Sequence, residues 1–224
     1  MTNKKSEYSK LVAARKEFIF SDGLINPSGT AYDTDEIEPW AQWQNNLDAK
    51  ILAIGQEFCD VDTFNKCRGT VELPNDKEYP ANTKLRGLFQ LIGIDIGSPL
   101  APNVAAPVFL TNAVMGLKSG SMSANFKDKW LKESREMFLV PLINIIKPKL
   151  IITLGTKSLL SVSKIYGFTL NSLKSEVEGS PIEVDGDVTI FPVFHPGSLG
   201  LANRNSELQK ADWLKIGEFY KSLD

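Results

Sequence analysis

Four short apolar runs, each stopped by a glycine or a polar residue, constrain this chain more than any other feature. They are Ile51-Leu-Ala-Ile54 before Gly55, Pro107-Val-Phe-Leu-Thr111 before Asn112, Leu150-Ile-Ile-Thr-Leu154 before Gly155, and Val188 to Phe194 before His195-Pro196. Apolar side chains at successive positions, rather than at every second one, mark strands covered on both faces, as in parallel sheets. Helix-like segments separate them. That alternation folds as a layered α/β domain with right-handed crossovers. The expectation is a three-layer sandwich, with a central, mainly parallel four-stranded sheet flanked by helices.

The remaining segments fit one domain over residues 1–224, with 1–45 as an N-terminal helical extension. Residues 5–18 place Tyr8, Leu11, Val12 and Arg15 at helical spacing, and a turn-rich stretch leads to a second short helix over Glu38–Leu47. Polar, irregular sequence from Gln56 to Tyr79 predicts a long loop. Asn82 is placed to cap a helix running to Ile92 and stopped by Gly93. A long helix over Asp128–Ile146 ends before Pro148, and Pro141 predicts a kink or break inside it. Gly155-Thr156 opens a helix to Tyr166, Glu183–Val188 forms a hairpin turn, and residues 204–222 close the chain as a helix.

Composition removes several classes of function. An apolar share of 42% over 224 residues is that of a globular chain, not a disordered one. The longest apolar run, Met137–Ile143, contains Pro141 and stops at Asn144, far short of the roughly 18 residues that span a bilayer. No apolar segment follows the lysines of the N-terminus, so the expectation is a cytoplasmic protein without a secretory signal or membrane contact. Two cysteines, Cys59 and Cys67, fit no common zinc or iron–sulfur spacing, and one histidine leaves no His-based metal site. Neither a Gly-x-Gly-x-x-Gly nor a Walker-type loop is present. No metal and no cofactor are therefore expected.

The net charge of −2 argues against indiscriminate nucleic-acid coating. Basic residues nevertheless outnumber acidic ones between 101 and 180, where Lys118, Lys127, Lys129, Lys132 and Arg135 fall. They form either a solvated helix surface or a local basic face.

In parallel sheets ligands bind beyond the carboxyl ends of the strands. Here those ends carry Gly55-Gln56-Glu57, Asn112, Gly155 and His195. Singly, Glu57 reads as a surface carboxylate or a base, Asn112 as a turn former or a ligand, and His195 as a backbone partner or a catalytic group. Together they put a carboxylate, an amide and an imidazole at the exits of three strands.

Four blocks in order, Ile51-Leu-Ala-Ile-Gly-Gln-Glu57, Val108-Phe-Leu-Thr-Asn-Ala-Val114, Ile151-Ile-Thr-Leu-Gly155 and Val193-Phe-His-Pro-Gly-Ser-Leu199, resemble the uracil-DNA glycosylase superfamily. The likeness spans about residues 50–215. It implies hydrolysis of the N-glycosidic bond of uracil, or a related deaminated base, flipped out of DNA in base-excision repair. Glu57 stands where the family has an aspartate that positions water or offsets positive charge on the sugar. His195 stands where the family's histidine bonds the uracil O2. Asn112 corresponds to the residue reading the uracil edge, with Gly55 and Gln56 lining the base site and Leu199 as the wedge that fills the vacated stack. Ser198 and the Lys118–Ser123 loop are candidate phosphate contacts.

Several positions depart from the family pattern. Phe58, Cys59 and Asp60 replace the proline, tyrosine and histidine of the best-known branch, so thymine exclusion is open. The base-stacking aromatic is Phe58, Phe64 or Tyr79, though an aromatic beside a strand end, as Phe58 is, more often belongs to the core. The four-cysteine cluster of the thermophilic branch is absent. The resemblance thus describes a divergent, monomeric, monofunctional enzyme acting on DNA without metal or cofactor. The alternative is a weak or inactive member that binds a nucleobase or nucleic acid without cleavage. A flavodoxin-like domain would explain the topology but not the His-Pro-x-x-Leu block.

Overall fold

The computed structural model describes residues 2–30, 33–44, 46–62, 80–98, 101–120, 126–184 and 187–223. Five strands form the main sheet: β1 (Ile51–Asp60), β4 (Val108–Lys118), β5 (Leu150–Leu154), β6 (Ile182–Val184) and β7 (Val188–Val193), in the order β4-β1-β5-β7-β6. The pairs β1–β4, β1–β5 and β5–β7 are parallel, and β6 joins β7 antiparallel. Two short strands, β2 (Gly97–Ser98) and β3 (Ala101–Pro102), pair separately. The sheet therefore has one strand more than the four expected. Its fifth member is the first arm of the Ile182–Val188 hairpin, a three-residue edge strand only half-buried, and so without an apolar run to reveal it.

Alternation along the strands divides the core between two faces. Leu52, Ile54, Phe109, Ile151 and Ile190 face one layer with Tyr8 and Leu11 of α1 (Thr2–Glu17), and with Leu142, Ile146 and Val162. Ile51, Ala53, Leu110, Ile152 and Val193 face the other, with Leu85 and Phe89 of α2 (Pro80–Leu91) and with Trp213 and Ile216. The Phe89 and Trp213 rings meet edge to face at 4.8 Å. Helices thus cover both faces of a mostly parallel sheet.

Asn82 is the third residue of α2, not its cap, because the helix begins at Pro80, where a missing N–H costs nothing. The long central helix runs as α3 (Asp128–Ser134), a π-turn over Arg135–Leu139, and α4 (Val140–Ile146). Pro141 does not break it. The widened turn just before accommodates the proline, which occupies the opening turn of α4. Lys147 then ends the helix in a left-handed conformation at φ 57°.

Two strands outrun their expected ends. The pairing of β1 with β5 stops at Ile54 and Thr153, but β1 and β4 continue side by side to Asp60 and Lys118, with an irregularity between Glu57 and Cys59. Gln56 and Glu57 therefore belong to a strand and not to the start of a loop. Their polarity reflects the loss of β5 from one edge of β1, not an end to the pairing. Lys118 likewise closes β4 instead of opening a loop, and all eleven residues of β4 are buried. The outer edge of β4 is covered where Ile25 and Leu117 exchange backbone hydrogen bonds at 2.9 Å. Among the described residues, no helix is long and apolar enough to cross a membrane.

Candidate functional site

The sheet narrows from five strands to a two-stranded ribbon at Gly55, and the residues singled out in the sequence gather at that step. Gly55 pairs in register with Asn112. One strand further on, the Gly155 N–H donates to the Val193 carbonyl at 2.8 Å, and Gly155 adopts φ 97° where β5 leaves the sheet. His195 follows β7 after one residue, Phe194, with its Cβ within 3.8 Å of where a Gly155 side chain would begin. At about 4.8 Å per strand, the rim from Asn112 to His195 spans roughly 14 Å of backbone.

At the β4 end the packing is close. Asn112 is 2% exposed and lies across Gly55. A Cβ on Gly55 would overlap Asn112 Oδ1 and sit 2.8 Å from the Trp40 ring, so only glycine fits there. Asn112 Nδ2 donates to Glu38 Oε2 at 3.0 Å, while Asn112 Oδ1 is buried and has no partner among the described residues. Burial pushes the Glu38 carboxyl up to about 8, against the opposing pull of the Trp40 N–H, the Asn112 amide, the Ala41 N–H and the Arg15 charge.

The first helix positions Glu38. Arg15 is 1% exposed and donates to the carbonyls of Thr34 and Glu36 at 2.8 and 3.0 Å. Tyr8 donates its O–H to Glu36 at 2.7 Å and accepts the Ile37 N–H at 3.0 Å. These bonds hold residues 33–37 against α1, so that the 3-10 turn Pro39–Trp43 starts with Glu38 beneath Asn112. Glu38 and Trp40 escaped the sequence reading, because they lie in the segment that resembles nothing. The only signal was a carboxylate directly before Pro-Trp, a turn-opening pattern that many surface loops share.

Glu57 lies on the ribbon, 17% exposed, with Oε1 accepting Lys118 Nζ at 2.9 Å and Gln56 Nε2 at 3.5 Å. Its Oε2 is buried without a partner among the described residues. Lys118 is itself 4% exposed. Placed against Glu57, it is not the loop phosphate contact that the sequence suggested: the extension of β4 carries it inward. The central lysines are also spoken for in part, Lys127 by the Asp22 carbonyl and the Trp130 face, Lys157 by Asp128 and the Phe126 face.

At the β7 end, His195 is half-buried, and burial lowers its pKa, so the ring is neutral at pH 7. Nδ1 accepts the Gly197 N–H at 3.0 Å, which places the proton of the neutral ring on Nε2. The next turn is a short helix, α7 (Ser198–Asn203), packed so closely on the His195 carbonyl that a Cβ on Gly200 would overlap it. Leu199, in the first turn of α7, is 80% exposed. Arg204, which ends this helix, donates to Asp212 Oδ1 at 2.8 Å, tying α7 to the closing helix α8 (Ser206–Lys221).

The structure brings Gly55, Gln56, Glu57, Asn112 and His195 to one rim, with Leu199 on the adjoining helix. Phe58 follows on β1; Phe64 and Tyr79 lie outside the described residues. Among the described residues, no three His, Cys, Asp or Glu side chains group as a metal site requires. No protein-family model matches the chain, and no curated protein matches it.

Proposed function

We propose that this protein is a monofunctional DNA glycosylase that removes uracil, or a closely related deaminated base, from DNA. The observation that carries the reading is His195, a neutral imidazole whose proton is directed to Nε2 by the Gly197 N–H. A leaving uracil gathers negative charge on O2, and a fixed donor at that point stabilises it without reorganisation. On the same rim, Asn112 keeps an unpaired acceptor and one spare N–H, the complement of an N–H beside a carbonyl.

Glu57 supplies the negative charge. With Oε1 held by Lys118, Oε2 is left to accept a proton from water as that water attacks the sugar C1′. The C1′–N bond breaks, its electron pair leaves on the base, and the water oxygen ends on C1′. The base leaves as an anion and takes up a proton from solvent, Glu57 returns its proton to solvent, and the products are free base and an abasic sugar. Leu199, 80% exposed, suits a side chain that fills the vacated stack.

A second reading has one observation in its favour. Lys118 neutralises part of the Glu57 charge that a sugar cation would use, as in a site that holds a base without cleaving it. Base release separates the two. Oligonucleotides with one uracil, single-stranded or opposite guanine or adenine, are incubated with the wild type and with Glu57→Gln and His195→Ala. The glycosylase reading expects release by the wild type and losses of about a hundredfold to a thousandfold in each variant. No release at enzyme excess transfers the assignment to base binding.

A further inference from the structure

An asparagine amide reads a base only if it is held one way round. Its two ends are nearly the same shape but opposite in hydrogen-bonding sense. Presented as Oδ1 and Nδ2–H, Asn112 pairs with an N–H beside a C=O, the edge of uracil. Turned over, the same amide pairs with a ring-nitrogen acceptor beside an amino group, the edge of cytosine. Discrimination between the two therefore depends on whatever stops the turn.

We infer that Glu38 is the positioning residue that locks the Asn112 amide, and that the site thereby selects bases bearing an N–H next to a carbonyl over their amino counterparts. The inference rests on the glycosylase reading for its substrates, but its geometry stands apart from it. Asn112 Nδ2 donates to Glu38 Oε2 at 3.0 Å, and both side chains are at least 97% buried. Oδ1 is left over Gly55 without a partner, a buried acceptor that a ligand N–H would satisfy. Trp40 closes the other side of Gly55, 2.8 Å from where a Cβ would stand.

The ionisation of Glu38 decides how firm the lock is. A carboxylate offers acceptors only, so a turned amide would bring Oδ1 against Oε2 with no hydrogen between them. A neutral carboxyl can donate its O–H to the turned Oδ1 and admits both orientations. The groups facing Glu38 are Asn112 from β4, and Arg15 and Tyr8 from α1, with Glu36 in its own strap. Burial and Glu36 hold the Tyr8 phenol well above its ordinary range, so it stays neutral, and the Arg15 charge is fixed. Glu38 is then the group here that titrates near neutrality, and selectivity sharpens as pH rises through about 8.

The test compares the wild type with Glu38→Gln, which keeps the shape but can donate as well as accept. Base release is measured from single-stranded oligonucleotides bearing one uracil or one cytosine, between about pH 6 and about pH 9.5. In parallel, the Asn112 side-chain amide is followed by NMR. The expected result is a uracil-to-cytosine ratio in the wild type that climbs with pH. In Glu38→Gln the ratio falls about a hundredfold and loses its pH dependence, through a gain in cytosine release that damage to the fold cannot produce. The Asn112 amide protons should titrate in the wild type and not in the variant. A variant that loses uracil release but keeps the ratio overturns the inference, as does an Asn112 amide insensitive to both pH and Glu38→Gln. A wild type that releases no uracil while its Asn112 amide still titrates with Glu38 overturns the glycosylase reading and leaves the lock standing.

Discussion

At the β4 end of the rim, Asn112, Glu38 and Lys118 are each under 5% exposed, and glycine at position 55 is imposed by contact on two sides. At the β7 end, a half-buried imidazole hangs from a turn, and the next large side chain, Leu199, is 80% exposed on a six-residue helix. Both ends belong to one rim, yet they obey different physical demands. Telling one base edge from another needs donors and acceptors that cannot adapt, which is what burial and neighbouring hydrogen bonds provide. Engaging a polymer needs a surface that meets solvent and can give, and such elements come from the less stable parts of a fold. The proposed division is therefore recognition at the β4 end, and charge stabilisation and insertion at the β7 end.

If that contrast is right, the β4 end should dominate stability, and pH should expose it first. Glu38 is raised from 4.5 to about 8 by burial. Below the lower value the carboxyl is protonated in both folded and unfolded chains, so its contribution is fully present. Between the two values the folded chain alone keeps the proton, and the contribution is lost as pH rises through about 8. At about 1.4 kcal/mol per pKa unit, the loss across this window is on the order of 5 kcal/mol. Urea unfolding of the wild type at about pH 5 and about pH 9 should show it, and Glu38→Gln should lack that share of the change. Parallel curves for the two proteins would mean that Glu38 is not held in an apolar site.

Lys118→Met probes the next shell of the same end. It strands the Glu57 carboxylate on the ribbon with only the 3.5 Å contact to Gln56. Removing one partner of a buried pair costs about 3–5 kcal/mol, and the partial exposure of Glu57 puts this site at the lower end, about 3 kcal/mol. Thermal unfolding checks the stability, and the double variant Lys118→Met with Glu57→Gln checks the cause. The double variant should recover the part of the loss that comes from the Glu57 charge, which is then no longer left without its counter-ion. A double variant as unstable as the single one would make Lys118 a packing residue and not a counter-ion.

What could be read from the sequence follows the same division. Polar residues next to an apolar run are legible by position, so Gly55, Asn112 and His195 stand out in the sequence, although Gly55 and Asn112 lie inside longer strands. Gly155-Thr156 gave the start of α5 (Thr156–Tyr166) correctly, because a glycine there leaves a strand and opens a helix within two residues. The length of β1 does not show in the sequence, since Glu57 and Asp60 are polar yet paired with β4 through their backbones, which no side-chain pattern reports. The strap from α1 was hidden for a different reason. Glu38 reaches Asn112 across 74 positions of sequence, held by bonds from Tyr8 and Arg15, whose helical spacing in the linear chain marks a helix face but names no polar partner. Long-range polar networks leave no local periodicity behind.

Leu199→Ala tests the other end, where the expected effect on the fold is the smallest. With 80% of the residue already in water, its truncation should change stability by less than about 0.5 kcal/mol. Its effect should appear on duplex substrate alone. A flipped base leaves a gap that restacking would close, and an inserted leucine offsets a few kcal/mol of that penalty, whereas a single strand has no stack to refill. Uracil release from duplex should therefore fall by about tenfold or more, with release from a single strand nearly unchanged. Equal losses on both would place Leu199 at the base site rather than in the stack. The recognition end would then extend into α7, and the two ends of the rim would no longer be separable.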